Sequence, residues 1–565
     1  MMVRDQVAAR IARALAAAQA DGALPAFEAP EIVIDRPRQL EHGDFSTNVA
    51  LRATKLARMA PLAIAEILAA QLPAEGPIGA VAVAPPGFLN IHLSEAWLAA
   101  QTDAIRAAGA GYADVETGAG QRVQVEFVSA NPTGPLHFGG ARNAAIGDTL
   151  ARALEAAGYQ VEREYYLNDA GTQIGIFGAT LHARYCQLLG REVEVPEGAY
   201  PGAYMEDYAA RILQAEGERF LDLAPEAAAP EMARLGIALV VDYLRELLAT
   251  IDVRFDRWYS ERSLYDSGLA ERVFADLKAR GLTEEREGAT WLKTSDFGSD
   301  RDEVLIRSSG QPGYYASDVV YHYDKFVNRG FDQVIDVWAV DHQNQARRMP
   351  FLMQALGLDP ARLSIVLYDL VKLVKLEPDE AGGAPVKREI KMSKRAGTFV
   401  ALEDLLEDLE PDAVRFLMLA RSNEQAIELD LDLAREQSNE NPVYYVQYGH
   451  ARIASILRLA VERGFGDYEA GDVGRLVHPL ELALLREILR LPEVIEQVIA
   501  FRAPHHLPHY AQGLARCFHA FYHDCQVLDA EAPELSRARL KLVDASRIAL
   551  ARVLDLMGMS APERM

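Results

Sequence analysis

The stretch VQVEFVSANPTGPLHFGGAR, residues 123–142, decides the fold of this protein. It begins with the alternating β-branched residues of a strand and ends in a loop of prolines and glycines that places His137 before two glycines. An alanine-rich helix is predicted from about Gly139 to Ala157, and Gly158 is a residue type that ends helices. A second strand is predicted from Val161 to Leu167. The order strand, loop, helix, strand is half of a Rossmann-type sheet.

Such a unit favours a nucleotide at its loop. The ligand lies beyond the carboxyl end of the strand, at the N-terminus of the helix. Unpaired backbone N–H groups and the helix dipole favour phosphate there. Gly139 and Gly140 have no Cβ, so a base or a phosphate can approach the backbone closely.

The composition limits the class of protein. A chain of 565 residues is too long for one ordinary core, so three or four domains are predicted. No apolar run approaches the ~18–20 residues of a membrane helix, and the first residues lack the apolar core of a signal peptide. The three cysteines have no paired spacing, which favours reduced thiols in a cytoplasmic protein and argues against a zinc site. We expect no membrane contact and no protein metal site.

The net charge of −24 repels nucleic acid at long range, so any nucleic-acid binding must use local basic patches. Two stretches are locally basic in this acidic chain. Residues 387–395 and 537–552 each carry five lysines and arginines. The second stretch is helical in pattern and can be an RNA-binding surface, and a solvated helix face is the alternative.

The periodicities predict an α/β fold with a Rossmann-type parallel-sheet core. Strands and helices alternate after a long helical insertion, and Gln333–Val340 is the clearest buried strand. An α+β domain precedes this core and an all-helical domain follows it. The predicted boundaries are 1–113 for the N-terminal domain, 121–400 for the core with its insertion at about 174–250, 401–438 for a helical connector and 439–565 for the C-terminal domain.

Two short motifs reveal a resemblance. His137-Phe-Gly-Gly140 and Lys391-Met-Ser-Lys394 occur in this order, about 250 residues apart. They resemble the paired HIGH and KMSKS signatures of class I aminoacyl-tRNA synthetases. Further stretches resemble the arginyl-tRNA synthetase family over nearly the whole chain, namely Ser129–His137, Leu167–Gln173, Tyr314 with Asp318, Pro411–Arg415 and a helical module beginning near Asn441.

The resemblance implies a reaction in two steps. The carboxylate of arginine attacks the α-phosphate of ATP, and the arginyl group then passes to the terminal ribose of tRNA. Positioning and charge stabilisation suffice for such chemistry, so no protein nucleophile is required. The resemblance implies that His137, Lys391 and Lys394 are catalytic. It also implies that Gly139, Gly140 and Ser393 contact ATP, and that Mg²⁺ is held through the ATP phosphates.

One departure from the family concerns Gly140, which stands where the family usually has a second histidine. The missing imidazole would stabilise phosphates in the transition state. Either its part is smaller in this protein or another donor replaces it.

The amino-acid pocket must hold a guanidinium, which calls for carboxylates that accept two parallel hydrogen bonds. The resemblance implies that two residues hold the α-amino and carboxyl groups of arginine, Glu126 and Asn131, and that three bind its guanidinium, Glu261, Tyr314 and Asp318. Either His342 or Gln343, after the buried strand, is also expected to line the pocket. A strand-surface carboxylate is the alternative for Glu126, and a helix-terminal acid is the alternative for Asp318.

A second loop carries Asn168, Asp169 and Gln173, which match a family motif. Their position suggests that they support the pocket. Helix capping is the alternative for Asp169.

The resemblance also implies the macromolecular partner, tRNA(Arg). The C-terminal module would hold the anticodon stem and loop, and the N-terminal domain would touch the tRNA elbow. Lys541 and Arg547 are the candidates for phosphate contacts, and a monomer is expected. Three alternatives stay open: another class I synthetase, a non-catalytic tRNA-binding paralogue, which only Gly140 favours, and a small-molecule adenylyltransferase, which has no evident need for the long helical module.

Overall fold

The computed structural model describes residues 2–377, 386–389 and 400–565. Lys391, Ser393 and Lys394 of the second motif lie outside the described residues. Within the described ranges, no helix is long and apolar enough to cross a membrane.

The N-terminal part of the chain is a small sheet covered by helices. Its elements are α1 (Val3–Ala20), β1 (Phe45–Thr47), α2 (Val49–Ala57), α3 (Pro61–Ala70), β2 (Ile78–Ala84), β3 (Phe88–Leu93) and α4 (Glu95–Ala108). The three strands are antiparallel in the order β1-β3-β2. Helix α4 begins where the Ser94 hydroxyl accepts a hydrogen bond from the backbone N–H of Trp97. The predicted α+β class of this region is confirmed.

The central part of the chain alternates strands with helices. Its elements are β4 (Arg122–Glu126), α5 (Gly140–Ala156), β5 (Gln160–Leu167), α6 (Thr172–Leu188), α7 (Tyr204–Glu216), α8 (Pro225–Thr250), β6 (Arg257–Ser260), α9 (Arg262–Asp266), α10 (Leu269–Ala279), β7 (Thr283–Arg286), β8 (Ala289–Leu292), β9 (Glu303–Ile306), α11 (Ala316–Tyr323), β10 (Gln333–Ala339), α12 (Gln343–Ala346), α13 (Met349–Ala355) and β11 (Leu363–Tyr368). A π-helical turn continues α11 over Asp324–Asn328.

Five of these strands form the parallel sheet that the sequence predicts, in the order β11-β10-β4-β5-β6. Val123 and Val125 on one face of β4 and Gln124 on the other are fully buried, as expected of a central strand that is covered on both faces. The chain adds β5 and β6 on one side of β4 and then crosses to add β10 and β11 on the other. The crevice beyond the carboxyl ends of β4 and β10 is therefore the expected ligand site.

The last part of the chain contains one more sheet and a helical bundle. Its elements are β12 (Val371–Glu377), β13 (Val386–Glu389), α14 (Leu402–Asp408), α15 (Pro411–Leu419), β14 (Ile427–Asp430), α16 (Leu431–Arg435), α17 (Pro442–Glu462), α18 (Pro479–Ile488), α19 (Leu491–Phe501), α20 (His506–Asp524) and α21 (Pro533–Leu556). The predicted all-helical class of the C-terminal part is confirmed from α17 onward.

The predicted connector, residues 401–438, is not wholly helical. Strand β14 lies within it and pairs in parallel with β12, in a sheet of order β13-β12-β14. Ile427 and Leu429 are buried while Glu428 between them is exposed. This period of two is that of a strand, and it is too short to stand out beside the helical patterns around it.

The two ends of the chain pack against each other. Helix α4 lies against α18 and α21. The hydroxyl of Tyr112, just after α4, donates to the Ile488 carbonyl oxygen at 2.8 Å. Arg106 of α4 donates to Asp544 of α21 at 2.9 Å. The N-terminal sheet domain and the C-terminal bundle therefore share an interface with buried polar contacts.

Candidate active site

The loop after β4 is held in a strained conformation. Val128 and Ser129 both have positive φ, at 66° and 41°, which is unusual for side chains other than glycine. The Val128 N–H donates to Asn143 Oδ1 at 2.7 Å. The Ser129 hydroxyl donates to Glu126 Oε1 at 3.0 Å and accepts from the Tyr166 N–H at 3.1 Å. These bonds tie the loop to α5 and β5, so its shape is fixed before any ligand arrives.

The predicted catalytic histidine, His137, is exposed at this loop. The backbone N–H of Gly139 donates to its Nδ1 at 3.0 Å. Because Nδ1 accepts, the hydrogen of the neutral ring sits on Nε2, which makes that atom the donor of the ring. Removal of water by neighbouring protein lowers the pKa of this imidazole below its ordinary value. The ring is therefore a neutral donor at pH 7.

The expectation of unpaired N–H groups at the start of α5 is not met in this structure. The Gly139 N–H binds the histidine ring, and the N–H groups of Gly140 and Ala141 donate to the carbonyl oxygens of His137 and Phe138 at 2.7 and 3.0 Å. Tight i→i−3 turns therefore use these backbone N–H groups at the helix start. The attraction for phosphate at this end of the helix comes from the dipole and from the His137 ring.

Gly140 leaves room that Leu136 occupies. A Cβ built at Gly140 would lie 2.7 Å from Leu136 Cδ1. A Cβ at Gly139 would lie 3.0 Å from His137 Nδ1, so a side chain there would crowd the imidazole. The two glycines thus serve the packing of the loop as well as the approach of a ligand.

The described segment after the second motif returns to His137. The Phe138 N–H donates to the Val400 carbonyl oxygen at 3.1 Å, and the Leu402 N–H donates to the Leu136 carbonyl oxygen at 2.8 Å. His137 and Ala401 form an antiparallel bridge. The basic stretch at 387–395 is therefore followed, a few residues later, by a segment fixed beside the histidine.

Two predicted guanidinium ligands, Glu261 and Asp318, come together at the start of α11. Asp318 lies in the first turn of that helix, and the neighbouring Ser317 donates its hydroxyl to Glu261 Oε1. Neither carboxylate has a basic side chain within ion-pair distance among the described residues. Burial raises the pKa of both groups, that of Asp318 to about 6.

The side chain that reaches Asp318 from β10 is neither His342 nor Gln343 but Gln345. Its Nε2 donates to Asp318 Oδ2 at 2.6 Å. Its Oε1 accepts from the Tyr314 hydroxyl at 3.4 Å and lies 3.1 Å from His342 Nδ1. His342 and Gln343 are exposed, and 67% of the Tyr314 side chain is accessible. The end of the buried strand predicted that this segment reaches the pocket. The turn of α12 shows that Gln345 is the residue that contacts Asp318.

Glu126 lies at the end of β4, as predicted, but the protein already satisfies its carboxylate. Lys325 donates to its Oε2 at 2.7 Å and to Asp336 Oδ1 at 2.9 Å. Lys325 and Asp336 are fully buried. Glu126 is therefore part of a buried ion network, and its other oxygen, Oε1, accepts from the Ser129 hydroxyl. Asn131 is exposed on the same loop.

Asp169 does not cap α6, the helix that follows its loop, and bonds instead to the start of α9. Its Oδ1 accepts from the N–H of Arg262, the first residue of α9, at 3.0 Å. Its Oδ2 accepts from the Ser260 hydroxyl at 2.6 Å. The residue thereby joins the carboxyl ends of β5 and β6 and fixes the neighbouring Glu261. Asn168 and Gln173 are exposed.

Lys541, the predicted tRNA contact, lies inside an interface of the protein. Lys541 is only 7% accessible, and its ammonium lies 3.1 Å from Asp103 of α4. Arg547 pairs with Asp544 at 2.8 Å. The other arginines of this stretch pair mainly with acids of the C-terminal part itself.

A different surface of the C-terminal bundle combines aromatic rings with an unpaired cation. Tyr444 and Tyr448 of α17 stack at 5.6 Å. The Arg452 guanidinium lies 4.7 Å from the ring of Tyr522 and 5.9 Å from that of Tyr448. No carboxylate among the described residues pairs with Arg452. We call Tyr444, Tyr448, Arg452 and Tyr522 the aromatic face; rings and guanidinium of this kind suit unstacked bases.

Comparison with known proteins covers the whole chain. Three family models match: the arginyl-tRNA synthetase N-terminal domain over residues 5–93, the class I (R) catalytic domain of tRNA synthetases over 103–448 and the DALR anticodon-binding domain over 446–565. The arginine–tRNA ligase of Dehalococcoides mccartyi is 43% identical over 565 residues, which are 100% of this chain and 99% of that protein. That of Heliobacterium modesticaldum is 44% identical over 569 residues, again 100% of this chain and 99% of that protein.

The fold agrees with these relatives. The arginyl-tRNA synthetase of Thermus thermophilus is similar in structure, with a TM-score of 0.76, 23% identity and coverage of 100% of both chains. None of these similarities favours another class I synthetase or a non-catalytic paralogue. Full-length identity above two fifths, with all three family models in their expected order, shows that the chain belongs to the arginyl-tRNA synthetase family.

Proposed function

We propose that this protein attaches arginine to its tRNA at the expense of ATP, through an arginyl-adenylate. The observation that carries the proposal is the pair Glu261 and Asp318 at the carboxyl edge of the sheet. Two half-buried carboxylates without a basic partner among the described residues are costly, unless a ligand supplies the cation. The cation that fits two convergent acids best is a planar fork of N–H donors.

The guanidinium pocket gives the enzyme its selectivity. Glu261 and Asp318 accept from different edges of the guanidinium, and the exposed Tyr314 ring covers its face. Lysine offers a single ammonium that cannot satisfy both acids in the same geometry. A site built to accept several N–H donors rejects an analogue that lacks them by ~10⁴-fold or more. No separate editing step is then needed, and the helical insertion α6–α8 need not provide one.

The other end of arginine faces the loop after β4. Glu126, the last residue of β4, and Asn131, exposed on the loop, hold the α-amino and carboxyl groups of arginine. Burial raises the pKa of Glu126, and Lys325 opposes that rise and so favours the ionised form that the α-amino group needs. The carboxylate of arginine is then directed toward the α-phosphate of ATP.

ATP binds between the glycine turn and the second motif. His137 donates from Nε2 to the phosphates, and Gly139 and Gly140 let the nucleotide approach α5. Lys391 and Lys394, with Ser393 beside them, supply positive charge to the leaving pyrophosphate. The pairing of Val400–Leu402 with Leu136–Phe138 supports this role, since it anchors the chain beside His137 directly after the basic stretch. Mg²⁺ enters with the ATP phosphates.

The chemistry needs no protein nucleophile. In the first step the arginine carboxylate oxygen attacks the α-phosphorus and pyrophosphate leaves. In the second step a ribose hydroxyl of the tRNA terminus attacks the activated carbonyl carbon and AMP leaves. The protein holds the reactants in line and offsets charge that moves onto the phosphate oxygens.

tRNA binds as a third substrate, to the aromatic face of the C-terminal bundle and to the N-terminal sheet domain. The aromatic face supports the first contact, because Tyr448, Tyr522 and Arg452 offer ring faces and one unpaired cation. The interface between α4 and α21 holds both domains at a fixed separation. One monomer then spans the tRNA from anticodon to elbow.

Charging of total tRNA with labelled arginine, with lysine and glutamine as controls, tests the function. Charging is expected with arginine alone. In the same assay Asp318→Ala should raise the arginine KM by ~100-fold or more, since it removes a charge-assisted pair, and change the ATP KM little. Arginine-independent charging would refute the function, and equal effects on both KM values would refute the pocket.

A further inference from the structure

Among the described residues, Gln345 is the one whose side chain donates a hydrogen bond to the Asp318 carboxylate. It belongs to the short helix α12 that follows β10, and it is half-buried beside the crevice. Its amide spans the space between Asp318 on α11 and His342 at the end of β10. The residue therefore joins two separate elements of the pocket.

The contacts fix the orientation of the amide. An ionised carboxylate only accepts hydrogen bonds, so the atom that lies 2.6 Å from Asp318 Oδ2 must be the NH₂ of Gln345. The Oε1 then points away from Asp318 and accepts from the Tyr314 hydroxyl. His342 Nδ1, at 3.1 Å, must carry its hydrogen toward the same oxygen. One amide thus orders an acid, a phenol and an imidazole.

We infer that Gln345 is a positioning and specificity residue for arginine: it turns the free oxygen of Asp318 toward the guanidinium, favours the ionised form of that acid and holds Tyr314 over it. This inference deepens the proposed function and rests on it. Gln345 does not need to touch the reacting atoms. It acts through Asp318 and Tyr314.

The electrostatics of the pocket make this hydrogen bond consequential. Burial raises the pKa of Asp318 to about 6, and the Gln345 hydrogen bond opposes that rise. The acids that also raise the pKa are Glu126 of β4 and Asp336 of β10, while His322 of α11 lowers it. Glu261 stands across the pocket from another strand. The phenols that face Asp318 stay neutral in this range; they are Tyr166, Tyr265, Tyr314 and Tyr315.

The sign of the pH effect follows from these contacts. Below its pKa Asp318 is protonated and no longer pairs with a guanidinium, so the arginine KM rises as pH falls. Loss of the Gln345 donor leaves the neutral form of Asp318 relatively more stable. The acid limb of kcat/KM for arginine should therefore move to higher pH.

The test compares Gln345→Met with Gln354→Met in the full-length enzyme. Gln354 is an exposed residue of α13 outside the pocket, so its variant controls for the same change of side chain. Gln345→Met is expected to raise the arginine KM ~10–100-fold, the size of a lost hydrogen bond to a charged group, with the ATP KM and kcat within about twofold. Its acid limb should lie about one pH unit above that of Gln354→Met.

Several outcomes would overturn the inference or separate it from the proposed function. An arginine KM and acid limb equal to those of Gln354→Met would show that Gln345 is only structural. Gln345→Asn keeps the amide but shortens its reach, so it should behave like Gln345→Met, and wild-type kinetics in it would also refute the role. If the wild-type enzyme lacks arginine-dependent charging, the proposed function itself fails. If Asp318→Ala keeps the arginine KM, the pocket fails instead.

Discussion

The imidazole of His137 is held in one tautomer by the Gly139 N–H, and partial loss of water around the ring lowers its pKa. A neutral donor stabilises phosphate charge without having to lose a proton first. Because the neutral ring persists as pH rises, we expect the activation rate to hold between pH 7 and about 8.5 as far as this residue is concerned.

Substitution of that ring should affect the rate and not the binding of arginine. His137→Ala is expected to slow arginine-dependent ATP–pyrophosphate exchange by ~10²–10³-fold, as for loss of one donor to a developing anion. The arginine KM should change little, since the ring lies at the phosphate end of the site. The assay should contain tRNA, and an exchange rate close to that of wild type would exclude this role.

For single residues, the sequence predicts which residue types are present but not how their side chains pack. The absence of a second histidine at Gly140 is visible in the sequence, but the occupation of its space by Leu136 is not. Asp318 stands out by its motif, whereas Gln345 lies in a run of polar residues, 342–345, in which nothing distinguishes the inward side chain. The direction of a side chain on a single short turn depends on packing, which a linear pattern does not encode.

Among the elements, β4, β10 and the π-helical turn after α11 meet around one buried cation. Lys325 donates to Glu126 and Asp336, and His322 lies 3.0 Å from the other oxygen of Asp336. Another hydrogen bond, from His322 Nδ1 to the Asp318 carbonyl oxygen at 2.8 Å, links this network to the start of α11. The network therefore connects the sheet to the first turn of α11, which carries Asp318.

Removal of the cation should destabilise the fold. Lys325→Met leaves Glu126 and Asp336 buried without their counter-charge, which is expected to lower the free energy of unfolding by about 3–5 kcal/mol. Lys278→Met is the matched control, because that side chain is exposed in a surface pair worth at most ~1 kcal/mol. Urea unfolding followed by circular dichroism measures both. Equal stability of the two variants would show that the network is dispensable.

The elements of the core were the easiest part to predict. The helix expected from about Gly139 to Ala157 spans Gly140–Ala156, and the strand expected at Gln333–Val340 spans Gln333–Ala339. Both have long, unbroken periodicity. The buried network was out of reach, since Lys325 and Glu126 are 199 residues apart in the chain and their contact depends on the order of strands in the sheet. Strand β14 was missed because four residues give too little periodicity.

At the scale of the whole molecule, charges that look exposed in the sequence are used to hold the domains together. Lys541 faces Asp103, and Arg106 faces Asp544, across the contact between the C-terminal bundle and the N-terminal domain. Lys541 is thus neutralised across this contact, in a stretch whose composition left an RNA-binding surface and a solvated helix face both open. The aromatic face remains as the cationic surface of the bundle that points outward.

tRNA binding at several salt concentrations separates the two surfaces. Arg452→Met is expected to weaken binding and to reduce the slope of log affinity against log salt by about one. Lys541→Met should leave this slope unchanged, because its charge is already neutralised by Asp103. Filter binding with arginine tRNA measures both slopes. If only Lys541→Met reduces the slope, the basic helix α21 and not the aromatic face would be the tRNA-binding surface.

The unmatched acids at the start of α11 have a consequence for the enzyme at rest. Without substrate the molecule carries two carboxylates whose ionised forms burial disfavours, so bound arginine works as a missing structural ion as well as a reactant. Arginine should raise the melting temperature in a thermal-shift titration, whereas citrulline, of nearly the same shape but uncharged, should not. A cell short of arginine would then hold this enzyme in its less durable form, and supply of the amino acid would govern how long the enzyme lasts as well as how fast it works.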